Sequence, residues 1–219
     1  MNLGELIESF RKLADDNASP PLWSDEEITR YVNEAERDAV ERGFLIEDDE
    51  TAEICEIAVE ADTAIYNLDP RVLKITKAKL DLQHRLLDPT EKSVLDLRLM
   101  ATWESNPGTP FAYIDRQSSI RLVWVPIADD TLRLTVYRLP LADMDGPDDE
   151  PEIRAELHYQ LLDGMLARGY LKNDSETYNP AKSAEHEARF TQHFGQKIDA
   201  NVRRKQRSNR SNVVRMNSF

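Results

Sequence analysis

The hydrophobic period of this chain changes twice, and any fold must accommodate both changes. Helical spacing holds up to Gly43, alternation takes over from Glu47, and helical spacing returns after Pro151. In that last part Ile153, Leu157, Leu161, Leu162, Met165, Leu166 and Tyr170 form a stripe wide enough to be a core face, which predicts one helix over residues 151–173. A second helix, over residues 180–202, carries Ala184, Ala188, Phe190, Phe194, Ile198 and Val202 on its buried side. Asp148, Asp149 and Glu150 before Pro151, and Asn179 before Pro180, mark the two starts. Gly164 and Gly169 each cost a helix on the order of 1 kcal/mol relative to alanine, so another backbone is expected to approach closely there.

At the other end, residues 3–14 read as an amphipathic helix with Leu3, Leu6, Ile7, Phe10, Leu13 and Ala14 on one face and Asn2 with Glu5 as its cap. Ser24 and Glu27 have the spacing of a capping box, and Trp23 with Ile28 that of a hydrophobic staple. The helix they start turns Ile28, Tyr31, Val32, Ala35 and Ala39 inward and stops at Gly43. Glu47, Asp48, Asp49 and Glu50 read as a solvated linker. Short strands follow around residues 54–59, 64–68, 73–75, 111–114 and 120–125, and at Leu132, Leu134 and Val136, with a helical segment over 88–100. Trp124, Leu132, Leu134 and Val136 are expected to centre their core. The fold class is therefore α+β: a helical bundle from residues 1–50 and 143–202, an inserted antiparallel β-sandwich or barrel over 51–142, and a tail over 203–219.

Charge separates that tail from the rest. The chain has 41 acidic and 28 basic residues, yet Arg203, Arg204, Lys205, Arg207, Arg210 and Arg215 fall in its last 17 positions without an acid among them. Residues 1–202 keep 22 basic against 41 acidic side chains, a charge of -19. A body so acidic repels a phosphate backbone. The tail ends with Val213, Val214, Met216 and Phe219, so it is expected to be disordered alone and to order on a partner through these apolar residues and its bases. Cys55 is the single cysteine and excludes an intrachain disulfide. A soluble protein without secretion signal or membrane span is expected.

The sequence contains no glycine-rich phosphate loop, no G-x-S-x-G elbow and no C-x-x-C pair, so no catalytic residue, cofactor or metal is expected. His186 and His193 are seven residues apart, about 10 Å by helical rise, too far to share a metal. His84 and His158 have no ligand pattern around them. Asp143, Asp145, Gly146, Asp148, Asp149 and Glu150 imitate a calcium loop but lack the terminal spacing of an EF-hand, and a solvated loop ending in a helix cap accounts for them. Two other classes stay open: a metal-dependent hydrolase using these carboxylates, and a nucleic-acid-binding module using the bases from Arg203 to Arg215.

Taken in order, several short segments resemble the head-to-tail adaptor (connector) proteins of tailed bacteriophages, the tail tubular protein A type among them. They are residues 22–28 with Asn33, Glu34 and Ala35; Tyr66 to Pro70; 110–113; 125–129; 137–140; Pro151, Glu152, Ile153 and His158; 170–174; and Phe190, Phe194 and Gly195. The resemblance implies a structural protein of the virion, not an enzyme: a ring, normally twelvefold, between the portal protein and the next tail (nozzle or tube) component, with DNA passing through its lumen. It also implies that the tail, from Arg203 to Phe219, docks on the portal. It carries over no catalytic residues.

Overall fold

The computed structural model describes residues 1–99, 102–197 and 199. Six α-helices and two sheets occur among them, an α+β arrangement in which neither sheet closes into a barrel. The chain divides into two compact units, one of Met1–Ile46 with Arg138–Lys197 and the other built on Glu47–Tyr137.

In the first unit α1 (Leu3–Ala14) and α2 (Asp25–Gly43) both begin with a complete capping box, Asn2 with Glu5 and Ser24 with Glu27. Each satisfies amide groups that a helix start leaves without partners. Phe44, at φ 48, ends α2 in the left-handed region. The apolar stripe of α2 is buried as its spacing requires, from Ile28 through Tyr31, Val32, Ala35 and Ala39.

The long helix expected over residues 151–173 is shorter. Only α5 (Leu161–Gly169) is regular, preceded by a single 3₁₀ turn at Ala155–Leu157. The run is broken at Arg154, which is extended at φ -57, ψ 139, and just before it the Glu152 amide donates to Glu36 Oε1 on α2 at 2.6 Å. With Arg154 extended, the residues before it stay outside any helix, although Ile153 is still buried. α6 (Pro180–Phe194) starts where expected, with Asn179 accepting from the Lys182 amide, but stops eight residues short of 202. Gly195 adopts φ 89, a conformation suited to glycine, and its N–H closes the last turn on Thr191 O. Its buried side is also turned: Ser183, Phe190 and Phe194 face inward while Ala184 and Ala188 are exposed. Ile198 and Val202 lie outside the described residues.

α5 packs against α1, α2 and α6. Its glycines do mark close approach, by rings rather than backbone: a Cβ on Gly164 would lie 2.7 Å from the Phe190 ring, and one on Gly169 2.8 Å from that of Phe10. Trp23 fixes the second approach by donating Nε1–H to Gly169 O at 3.1 Å, edge-on to Phe10 and Tyr170.

In the second unit one sheet has the order β1 (Glu47–Asp48), β9 (Asp130–Arg138), β4 (Val72–Leu80), β5 (Arg85–Leu86), with β2 (Glu56–Val59) also on β9. The other runs β3 (Ile65–Asn67), β8 (Ser119–Val123), β7 (Ala112–Asp115), β6 (Asp88–Pro89). The pairing is not wholly antiparallel, since β6 runs parallel to β7. Leu132, Leu134 and Val136 of β9 share one buried cluster with Ile75, Ala78 and Leu80 of β4 and with Tyr113, Ile120 and Leu122 of the other sheet. Trp124 is not at its centre: it is half-buried at φ 72 and packs edge-on to Phe111, while Trp103 is the fully buried tryptophan of a second cluster with Leu95, Ala112, Ile114 and Val123. Ile54 and Cys55 belong to the short α3 (Ala52–Cys55) rather than to a strand. Residues 47–50 are more than a solvated linker, because β1 pairs with Tyr137 and Val136, and the buried Asp48 accepts from the Glu50 and Thr51 amides. The helix expected over 88–100 begins later, as α4 (Lys92–Leu99).

Candidate functional site

All the tail residues singled out for docking, Arg203, Arg204, Lys205, Arg207, Arg210, Val213, Val214, Arg215, Met216 and Phe219, lie outside the described residues. What the structure does describe is a set of charged surfaces and the polar ties that hold them.

The acidic loop of residues 143–150 caps a helix, but a different one from that expected. Its carbonyls at Pro147 and Asp149 accept the Gly4 and Leu3 amides at 2.9 and 2.7 Å, the first turn of α1. Asn33 on α2 grips Met144 twice, donating to its carbonyl and accepting from its amide, both at 2.9 Å. The Asp149 carboxylate, though exposed, folds back on its own loop to accept the Asp145 and Gly146 amides, which hold it below its ordinary value, and Asp143 pairs with Arg37. Asp145, Asp148 and Glu150 are left exposed on a loop pinned at four points. Among the described residues no group of three or more His, Cys, Asp or Glu is arranged to hold a metal ion.

A buried network runs behind α2. Arg42 meets Asp38 through two bonds of 3.0 and 2.8 Å, then reaches α6 at Glu187 (2.8 Å), Thr191 and the Gly195 carbonyl. Arg168 of α5 adds a second guanidinium to Asp38 at 3.0 Å. Burial pushes the Asp38 carboxyl upward, but Arg42, with help from Lys197 and Arg168, holds it below its ordinary value. An open polar trough of about 350 Å³ lies over this network, lined by Glu34, Arg37, Asp38, Glu41, Arg168 and Lys197. Sequence reading missed the network, although Asp38 with Arg42 has the i, i+4 spacing of a helical ion pair, and it missed the separate buried carboxyl of Glu36, which stands inside the apolar register of Val32, Ala35 and Ala39.

Two of the histidines tie the fold together. His158 is buried, with Nε2 2.9 Å from Ile153 O and Nδ1 3.0 Å from Met1 O. His186 joins α6 to α5 through Asp163 at 2.8 Å and stacks on Tyr170. His84 and His193 are exposed.

On the second unit the outer face of β4 is basic. Ile75, Ala78 and Leu80 face the core, while Lys74, Lys77 and Lys79 lie on the other side. Alternation slips at Thr76 and Lys77, both exposed, and this slip puts all three lysines on one face. Beside them Arg133 of β9 pairs with Glu56 and Asp81.

Neither a nucleophile with its base nor a phosphate cradle emerges from these ties; they position surfaces. The model of the SU10 adaptor protein family matches residues 1–216. The chain belongs to that family. It is a family of phage head-to-tail adaptors, so the chain has a structural role at the head–tail junction of a virion, among portal and tail proteins. A comparison with curated proteins found no match. In this adaptor no helix among the described residues is long and apolar enough to cross a membrane. The family match takes in both compact units and the tail as far as Met216.

Proposed function

We propose that this adaptor forms a ring, normally twelvefold, between the portal and the next tail component, and that DNA leaves the head through its lumen. The observation that carries this reading is the family match, which extends across the whole described body and into the tail. The helices then serve as a bundle and the two sheets as the layers of a sandwich. A lumen walled by a body of charge -19 adheres weakly to a duplex, which favours sliding over sequence-specific contact. No catalytic step is needed for such a conduit.

The portal contact falls to the tail. Arg203, Arg204, Lys205, Arg207, Arg210 and Arg215 steer the encounter and pair with carboxylates, while Val213, Val214, Met216 and Phe219 fill pockets on the partner. Deleting residues 203–219 is expected to leave thermal unfolding of the body unchanged and to abolish capture by the portal in a pull-down at physiological salt. Unaltered capture would move the docking surface to the body and end this assignment.

A further inference from the structure

We propose that the lysine face of β4 in one copy receives the acidic loop of residues 145–150 from a second copy, as the repeating contact of the ring; this rests on the ring reading above. The lysine face is built, not incidental. Ile75, Ala78 and Leu80 are at most 3% exposed and anchor the strand, so the opposite row of Lys74, Lys77 and Lys79 cannot turn away without unpacking the core. In a body of charge -19, the segment Val72–Leu80 carries three bases and no acid, although Asp81 just past its end already meets Lys79 at 3.5 Å.

The acidic partner is equally fixed. Asn33 holds Met144, the α1 amides hold Pro147 and Asp149, and Asp149 ties back the Asp145 and Gly146 amides. Asp145, Asp148, Asp149 and Glu150 are all exposed, and of these Asp149 is engaged by the loop's own amides. These two surfaces belong to different compact units of the same chain, and each copy therefore carries both halves of a head-to-tail contact. Contacts of that kind close into rings when the rotation allows. Without such pairing, bodies of this charge repel each other. Duplex DNA, the other polyanion of this system, must approach the lysines against the field of the whole body, whereas the loop of a second copy brings its carboxylates on a rigid support.

The test uses two full-length charge reversals, Lys74→Glu/Lys77→Glu and Asp148→Lys/Glu150→Lys, with assembly followed by mass photometry and sedimentation over a concentration series. Each variant alone is expected to need at least about tenfold more protein for half-assembly than the wild type. Mixed one to one they are expected to recover it, because the reversed face of one fits the reversed loop of the other and alternating copies close an even-numbered ring. Circular dichroism melts confirm that each variant is folded. Wild-type assembly by either variant alone overturns the proposal, as does failure of the mixture to recover. So does loss of duplex binding in the first variant with assembly intact, which would assign the face to DNA. A wild type that forms no ring, alone or on its portal, defeats the ring reading itself and is thereby distinguishable from failure of this contact.

Discussion

In the helical unit Glu36, Asp38, Arg42, Arg138 and His158 are buried among apolar side chains, whereas the buried polar side chains described in the β unit are Asp48 and Asp130. Both of those aspartates bind backbone amides: Asp48 those of Glu50 and Thr51, Asp130 those of Thr131 and, 48 positions away, Leu82. The helical charges instead tie separate elements together through their side chains, joining α2 to α5, to α6 and to residues 151–153. The contrast has a physical origin. A sheet takes its register from backbone ladders, so its core can be almost purely aliphatic. Helices satisfy their own backbones and can slide on one another, and charged ties between them select one arrangement.

Arg42→Ala should cost about 3–5 kcal/mol in denaturant unfolding, because Asp38 loses its two-pronged partner inside the protein. A loss within about 0.5 kcal/mol would show that Arg168 alone suffices and that the network is ornamental. In the β unit the counterpart is Leu134→Ala, expected to cost about 2–5 kcal/mol since Leu134 is 2% exposed in the largest cluster there.

The Glu36 carboxyl makes the helical unit sensitive to pH. Burial first, then the carboxylates of Glu152 and Asp143, push it from 4.5 to about 7 against the pull of the Glu152 and Ile153 amides. The folded protein keeps this proton where the unfolded chain releases it. The resulting stability is complete below about pH 4.5 and is lost as pH rises through about 7. Glu36→Gln keeps an acceptor for the Glu152 amide and removes the titration. The wild type should therefore lose on the order of 2 kcal/mol relative to this variant between pH 4.5 and 8. Parallel stability profiles for the two proteins would contradict the buried-acid account.

Gly164→Ala is the smallest of these effects. Alanine gains about 1 kcal/mol of helix preference, yet its Cβ would sit 2.7 Å from the Phe190 ring and 3.1 Å from Ala35. A net loss of about 1 kcal/mol in urea unfolding is expected, and a gain would mean that the ring moves freely.

Sequence alone determined what depends on neighbours along the chain. The capping boxes at Asn2 and Ser24, the inward stripe of α2, the Asn179–Pro180 start and the alternation of β9 are local, since each joins residues a few positions apart. The order of its short segments also carried the adaptor resemblance. Tertiary structure decided the rest. Residues 151–160 have a helical pattern but no α-helix: Arg154 is extended, and Glu36, more than a hundred positions away, anchors the Glu152 amide just before it. The acidic loop caps α1 instead of the helix that follows it, since the first amides of α1 lie within 3 Å of its carbonyls. Trp103 rather than Trp124 fills a core, because only packing between distant segments can choose between two tryptophans of equal hydrophobicity. Periodicity reports the face a residue prefers; which partner covers that face, and which backbone group a buried charge will claim, are settled only when the distant parts of the chain meet.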